Sequence, residues 1–171
     1  MNLPRPVRKL IESFEKVQRI PYMCRRGNPL EVKEELTYAN CSKKRGLLKQ
    51  ILDSFGFECR KLDAIFDWSD LPIPTDILKI LRNSGTFQKH HLLEVKINEN
   101  YFKIDTTWNL ELEWLGFPVT KDWDGNSDTE QITKGAILFY NPNLQKVSLP
   151  YFQEERIRFA DEFNKWLGWK L

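Results

Sequence analysis

Lys89-His90-His91-Leu92-Leu93-Glu94-Val95-Lys96-Ile97, followed by Asn98-Glu99 and then Asn100-Tyr101-Phe102-Lys103-Ile104-Asp105-Thr106-Thr107, is the stretch that settles the fold. Leu93, Val95 and Ile97 alternate with polar neighbours, and so do Phe102 and Ile104, which is the period of a half-buried strand. Two residues between the runs make a tight hairpin turn, setting Val95 opposite Phe102 and Leu93 opposite Ile104. Each strand then has one core face. His91 shares that face with Leu93, Val95 and Ile97, while His90 lies on the other with Leu92 and Glu94. In this register Asp105 stands opposite Leu92 and diagonal to His90, and diagonal neighbours are roughly 7–8 Å apart at the backbone, close enough for an imidazole to meet a carboxylate.

Helical periodicity lies on both sides of this hairpin. Leu10, Ile11, Phe14 and Val17 mark an opening helix that Pro6 helps to start and Pro21 ends. Pro29 opens a short second helix carrying Leu30, Val32 and Leu36. Asn40 is the N-cap of a stronger helix with Leu47, Leu48, Ile51, Leu52 and Phe55 on one stripe, and Gly56 occupies its left-handed C-terminal cap. Residues 57–68 read as extended chain and 76–81 as a short helix. After the hairpin come a polar excursion over 110–134, a buried strand over 136–140 and a closing helix over 151–167. Helices, an antiparallel sheet and a final helix make the class α+β.

The 171 residues suit one domain, 1–171, and bury enough surface to need neither a disulfide nor a structural metal. The 26 basic and 24 acidic residues leave a formal charge of +2, too balanced for a dedicated nucleic-acid binder. The longest apolar run, 136–140, is far short of the roughly 20 residues of a membrane span, and no apolar export segment follows the basic N-terminus. The expectation is a soluble, cytoplasmic protein with no membrane or nucleic-acid partner. Cys24, Cys41 and Cys59 are an odd set without a CxxC pair, which indicates free thiols in a reducing compartment.

Cys41 falls in the first turn of the best helix, where unpaired N–H groups and the macrodipole favour a thiolate, with Lys43, Lys44 and Arg45 adding to the field. A nucleophile needs that environment; a small buried hydrophobe would also occupy the position. His90 and Asp105 have the geometry of a base and its orienter, although His–Asp pairs on sheets also serve structure alone.

Three blocks together resemble the transglutaminase-like proteins of the papain-like cysteine superfamily. They are Asn40-Cys41-Ser42-Lys43-Lys44 leading through Leu47-Leu48 to Phe55-Gly56-Phe57-Glu58-Cys59-Arg60; His90-His91-Leu92-Leu93-Glu94-Val95; and Asp105-Thr106-Thr107-Trp108. The intervals of 15 residues from Cys41 to Gly56, 19 to Arg60, and 11 from Glu94 to Asp105 fit the family pattern without a gap. The resemblance covers about residues 36–109. It implies a cysteine-led helix packed on an antiparallel sheet, with Cys41 as nucleophile, His90 as base and Asp105 as its orienter. The stretches 116–119 and 123–129 look like uncharacterised microbial members. One position departs from the papain type: six residues before the nucleophile stands Glu35, where a glutamine would bind the oxyanion. The N–H of Cys41 then needs another donor, for which Tyr38 and Trp108 are candidates; Asn40 borders the same cleft.

Two functions follow. In one, Cys41 attacks an amide or ester carbonyl of a peptide, protein side chain or small acyl substrate, giving a thioester that water or an amine resolves. In the other, the fold is a catalytically weak or inactive module that binds a peptide or protein partner. No cofactor is implied, and the irregular spacing of cysteines and histidines does not suggest a metal. Asp124-Gly125-Asn126-Ser127-Asp128 reads as a solvated turn rather than a calcium loop. Arg5, Arg8, Lys9, Arg25 and Arg26 read as solvated surface, and Trp108, Trp114 and Trp123 as core or as cleft walls.

Overall fold

The hairpin turns where the spacing demands. Asn98 and Glu99 both take positive φ, 47° and 70°, the handedness that lets a two-residue loop follow the twist of its strands. In the computed structural model, which describes residues 4–24 and 38–169, Val95 pairs with Phe102 and Leu93 with Ile104. The first strand of the hairpin, β2, spans Phe87–Ile97, and the second, β3, spans Asn100–Ile104. β3 therefore stops before Asp105, and among the described residues no strand borders residues 87–92 of β2 on that side.

The other edge of β2 pairs along its length with β1 (Cys59–Asp67), from Cys59 opposite Val95 to Asp67 opposite Phe87. A three-residue strand, β4 (Leu138–Tyr140), adds to β1. The result is an antiparallel sheet in the order β3-β2-β1-β4. β4 corrects the expected buried strand, for it is an edge and Leu138 is 60% exposed.

Helix α1 (Arg5–Gln18) and helix α2 (Cys41–Ser54) lie on one face. Leu10, Phe14 and Val17 of α1, with Leu48 and Leu52 of α2, close over Leu93, Val95, Ile97 and Ile104. α2 ends as the sequence implies. Gly56 takes φ 81°, its N–H bonds Asp53 O at 2.9 Å, and the Phe57 N–H returns to Leu52 O at 3.1 Å, the paired bonds of a glycine C-cap.

The other face of the sheet is also covered, so the expectation of one core face per strand fails for β2. Leu62, Ala64 and Leu92 pack together there. Beyond them, Phe66 and Trp68 join Phe159 and Phe163 of α4 (Gln153–Trp166), with Ile77 of the short α3 (Thr75–Leu78), Leu81, Trp108 and Phe117. The excursion over 110–134 holds one 3₁₀ helix, Leu110–Leu115, and packs Trp123 against Phe14 at 5.0 Å between ring centroids. The proposed helix at Pro29 and the residue Glu35 lie outside the described residues. Among those described, no helix is long and apolar enough to cross a membrane.

Candidate active site

Asn40 is extended, and its side-chain oxygen accepts the Lys43 N–H at 3.0 Å, as an N-cap should. The helical ladder begins with Lys44 N–H on Asn40 O at 3.0 Å, so the Cys41 N–H stands ahead of it, at the end where the helix concentrates unshared donors. Cys41 is half-buried and lines a cleft of about 440 Å³ together with Asn40, His90, Tyr22 and Cys24. The far wall comes from residues 148–151 and the inner side of α4.

His90 and Asp105 meet where β3 has ended. His90 Nε2 lies 2.7 Å from Asp105 Oδ2, and the two side chains are 2% and 3% exposed. With Nε2 committed to the carboxylate, Nδ1 is the nitrogen left to face Cys41. Burial alone would push the imidazolium down; the charge and hydrogen bond of Asp105, followed by the Cys41 side chain, reverse this and hold His90 up at about 10. Burial likewise works against the Asp105 carboxylate, and His90 and Thr107 overcome it and hold the group below its ordinary range. Asp105 is fixed on every side: Oδ1 accepts the Thr107 N–H at 3.0 Å, and its own N–H donates to Thr129 Oγ1 at 2.8 Å.

Lys44 secures the segment that carries Asp105. Its fully buried Nζ donates to Gln18 O, Thr106 O and Thr107 O at 3.1, 3.1 and 2.9 Å. Burial pulls this lysine down to about 7, with Asp105 and Glu111 opposing. Three carbonyls take three N–H bonds, which only the ammonium supplies. The basic residues after Cys41 therefore do not form a single field. Lys44 turns to the Asp105 segment, and Arg45, a quarter-turn onward, bonds Asp63 Oδ1 at 2.6 Å.

His91 is not a core residue. Its side chain is 27% exposed, and Nδ1 lies 2.8 Å from the same Asp63 oxygen that Arg45 holds. The alternation places it correctly on the α2 face, but there it meets β1's Asp63 and α2's Arg45 rather than leucines. Burial first, and Arg45 with it, lower its pKa despite Asp63.

Trp108 is removed as an oxyanion donor. It is 4% exposed, and its indole N–H is spent on Ile132 O at 2.8 Å. Tyr38 stacks edge-on to Trp169 at 5.7 Å and is not among the residues that line the cleft. Trp114 is neither core nor wall, being 80% exposed. In the 124–128 turn, Asp124 accepts from its own loop at Asn126 and Ser127, and Asp128 pairs with Lys103. Among the described residues no three His, Cys, Asp or Glu side chains converge as a metal would require.

Tyr22 belongs to the same cleft and carries no mark in the sequence. Its residue bridges in parallel to Ala39, two positions before Cys41, and its hydroxyl is hydrogen-bonded to Cys24 and within electrostatic reach of Cys41 and Asp105. Nothing local marks it, since it follows a helix-ending proline and its partners apart from Cys24 come from distant segments. Comparison with protein-family models, curated proteins and solved structures returns no match.

Proposed function

We propose that the chain is a cysteine-dependent acyltransferase or hydrolase built on a transglutaminase-like core, with Cys41 as nucleophile, His90 as general base and acid, and Asp105 as the group that orients His90. The observation that carries this reading is the sealed His90–Asp105 contact of 2.7 Å, which borders the same cleft as Cys41 at the N-terminus of α2. A nucleophile, a base and an orienting carboxylate in sequence are what thiol acyl chemistry requires.

In the proposed cycle Cys41 Sγ attacks an amide or ester carbonyl, and His90 delivers a proton to the departing amine or alcohol. The thioester is then attacked by water or an amine, with His90 taking the nucleophile's proton and returning it to sulfur. The cleft of about 440 Å³ suits a peptide segment, a protein side chain or a small acyl compound. Cysteines outside any disulfide suit the reducing cytoplasm.

The test is p-nitrophenyl acetate. The wild-type protein should release a burst of p-nitrophenol and carry one acetyl group, mapped by mass spectrometry to Cys41; Cys41→Ala should lose both. An acetyl group on Cys24 or Cys59, or none, refutes the assignment.

A further inference from the structure

The proposed reaction creates an oxyanion, and the donors that would hold it are incomplete. The Cys41 N–H is one, Trp108 is spent on Ile132, and Tyr38 is not part of the cleft lining. Tyr22 has what they lack. It lines the cleft with Cys41 and His90, is 6% exposed, and is held rigidly by its backbone and ring. Its N–H donates to Asn109 Oδ1 at 2.9 Å and its carbonyl accepts the Trp169 indole N–H at 2.9 Å. The bridge to Ala39 is completed by Met23 N–H on Ala39 O at 3.2 Å and Ala39 N–H on Pro21 O at 3.0 Å. The same bridge fixes the chain immediately before the nucleophile. Trp108 stands edge-on against the ring at 4.7 Å.

Resting on the acyl-transfer reading, we infer that the Tyr22 hydroxyl is the second oxyanion donor, a catalytic residue that takes the place of the papain-type glutamine. As the Cys41 S–C bond forms, the carbonyl π pair moves onto oxygen, and that oxygen accepts hydrogen bonds from the Cys41 N–H and the Tyr22 O–H. Collapse restores the C=O bond, expels the leaving group with a proton from His90, and leaves the thioester beside a neutral imidazole. At rest the hydroxyl is paired with Cys24, and sulfur is a weak hydrogen-bond partner. Exchanging it for an alkoxide-like oxygen favours the transition state over the ground state, which is the condition for raising a rate. Burial, with Cys24 and Cys41 next, holds the phenol well above its ordinary range, so Tyr22 remains a donor throughout the pH range of the chemistry.

Two reactions at Cys41 separate this role from a structural one. Acetylation by p-nitrophenyl acetate passes through an oxyanion; alkylation by iodoacetamide displaces iodide at a saturated carbon and does not. Tyr22→Phe keeps the ring and its packing. It should lower the acetylation rate by roughly 10²-fold, at the lower end of the cost of a lost oxyanion donor, while alkylation of Cys41 stays within about twofold. Equal acetylation in Tyr22→Phe and an active wild type overturns the Tyr22 assignment and leaves the triad standing. An equal fall in both reactions also overturns it, because Tyr22 would then act on the thiol and imidazole. A wild type that is never acetylated at Cys41 overturns the triad, and the inference with it.

Discussion

His90 and His91 are consecutive residues on one strand, each within 2.8 Å of an aspartate, yet their surroundings drive them in opposite directions. Asp105 gives His90 a carboxylate oxygen that no other cation among the described residues hydrogen-bonds, and the imidazolium is held at about 10. Asp63 gives His91 an oxygen that Arg45 already neutralises, and burial then prevails and lowers His91. A histidine–aspartate distance therefore does not by itself define a catalytic dyad. The charge left on the carboxylate decides the protonation state, and the pleat that alternates side chains across the sheet decides which dyad meets the cysteine.

The comparison breaks most sharply at Asp105. Asp105→Asn preserves volume but removes the charge that sustains the His90 imidazolium, and Cys41 alkylation at neutral pH should fall roughly 10–30-fold, as for a thiol that is only a few per cent ionised. Stability gives a second readout of this pair. The part that His90 contributes is complete below its unfolded value near 6.5 and is lost as the pH rises through about 10. The part from Asp105, whose value is lowered from 3.8, is present above that unfolded value and is lost as the pH falls through the lower folded one. Denaturant titrations from acid to alkaline pH should show both limbs in the wild type and lose them in Asp105→Asn.

Next in size is Lys44→Met, which leaves three buried carbonyls without their shared donor. Unfolding should require about 1–3 kcal/mol less, measured by urea denaturation. Arg45→Met sharpens the comparison from the other side. With the cation removed from Asp63, an NMR pH titration should show His91 moving upward, toward the behaviour of His90, while His90 keeps its position. The smallest effect belongs to His91→Ala, which should reduce stability by roughly 0.5–3 kcal/mol and reduce Cys41 alkylation far less than Asp105→Asn does. A greater loss of reactivity from His91→Ala would invert the roles of the two histidines.

Much of this arrangement is legible in the sequence because it is local. The hairpin register follows from a period of two and a two-residue turn, and that register carries the chain past Ile104 toward His90, where Thr129 and Lys44 then hold the Asp105 segment. Asn40 and Gly56 mark the ends of α2 by side-chain and backbone chemistry that any chain would share. The remaining features depend on segments far apart in the chain. Arg45 reaches Asp63 on β1, Lys44 gathers carbonyls from Gln18 and Thr107, and Tyr22 reaches the cleft by pairing with Ala39. No periodicity records such meetings. His91 falls between the two cases: its face is read correctly, but its neighbours on that face come from other elements. Trp108 is misread for a similar reason, since its N–H finds a carbonyl 24 residues onward.

Competitive alkylation ranks the three cysteines and so tests Cys41 as the nucleophile. The protein would be treated with limiting iodoacetamide at pH 7 and labelling at each cysteine quantified by peptide mass spectrometry. Cys41 should react at least ~10-fold faster than Cys24 or Cys59. Burial, with the Asp53 charge, pushes the Cys59 thiol up to about 11 and makes it the slowest. Equal labelling of Cys41 and Cys24, or Cys59 reacting first, would contradict the assignment of Cys41 as the nucleophile.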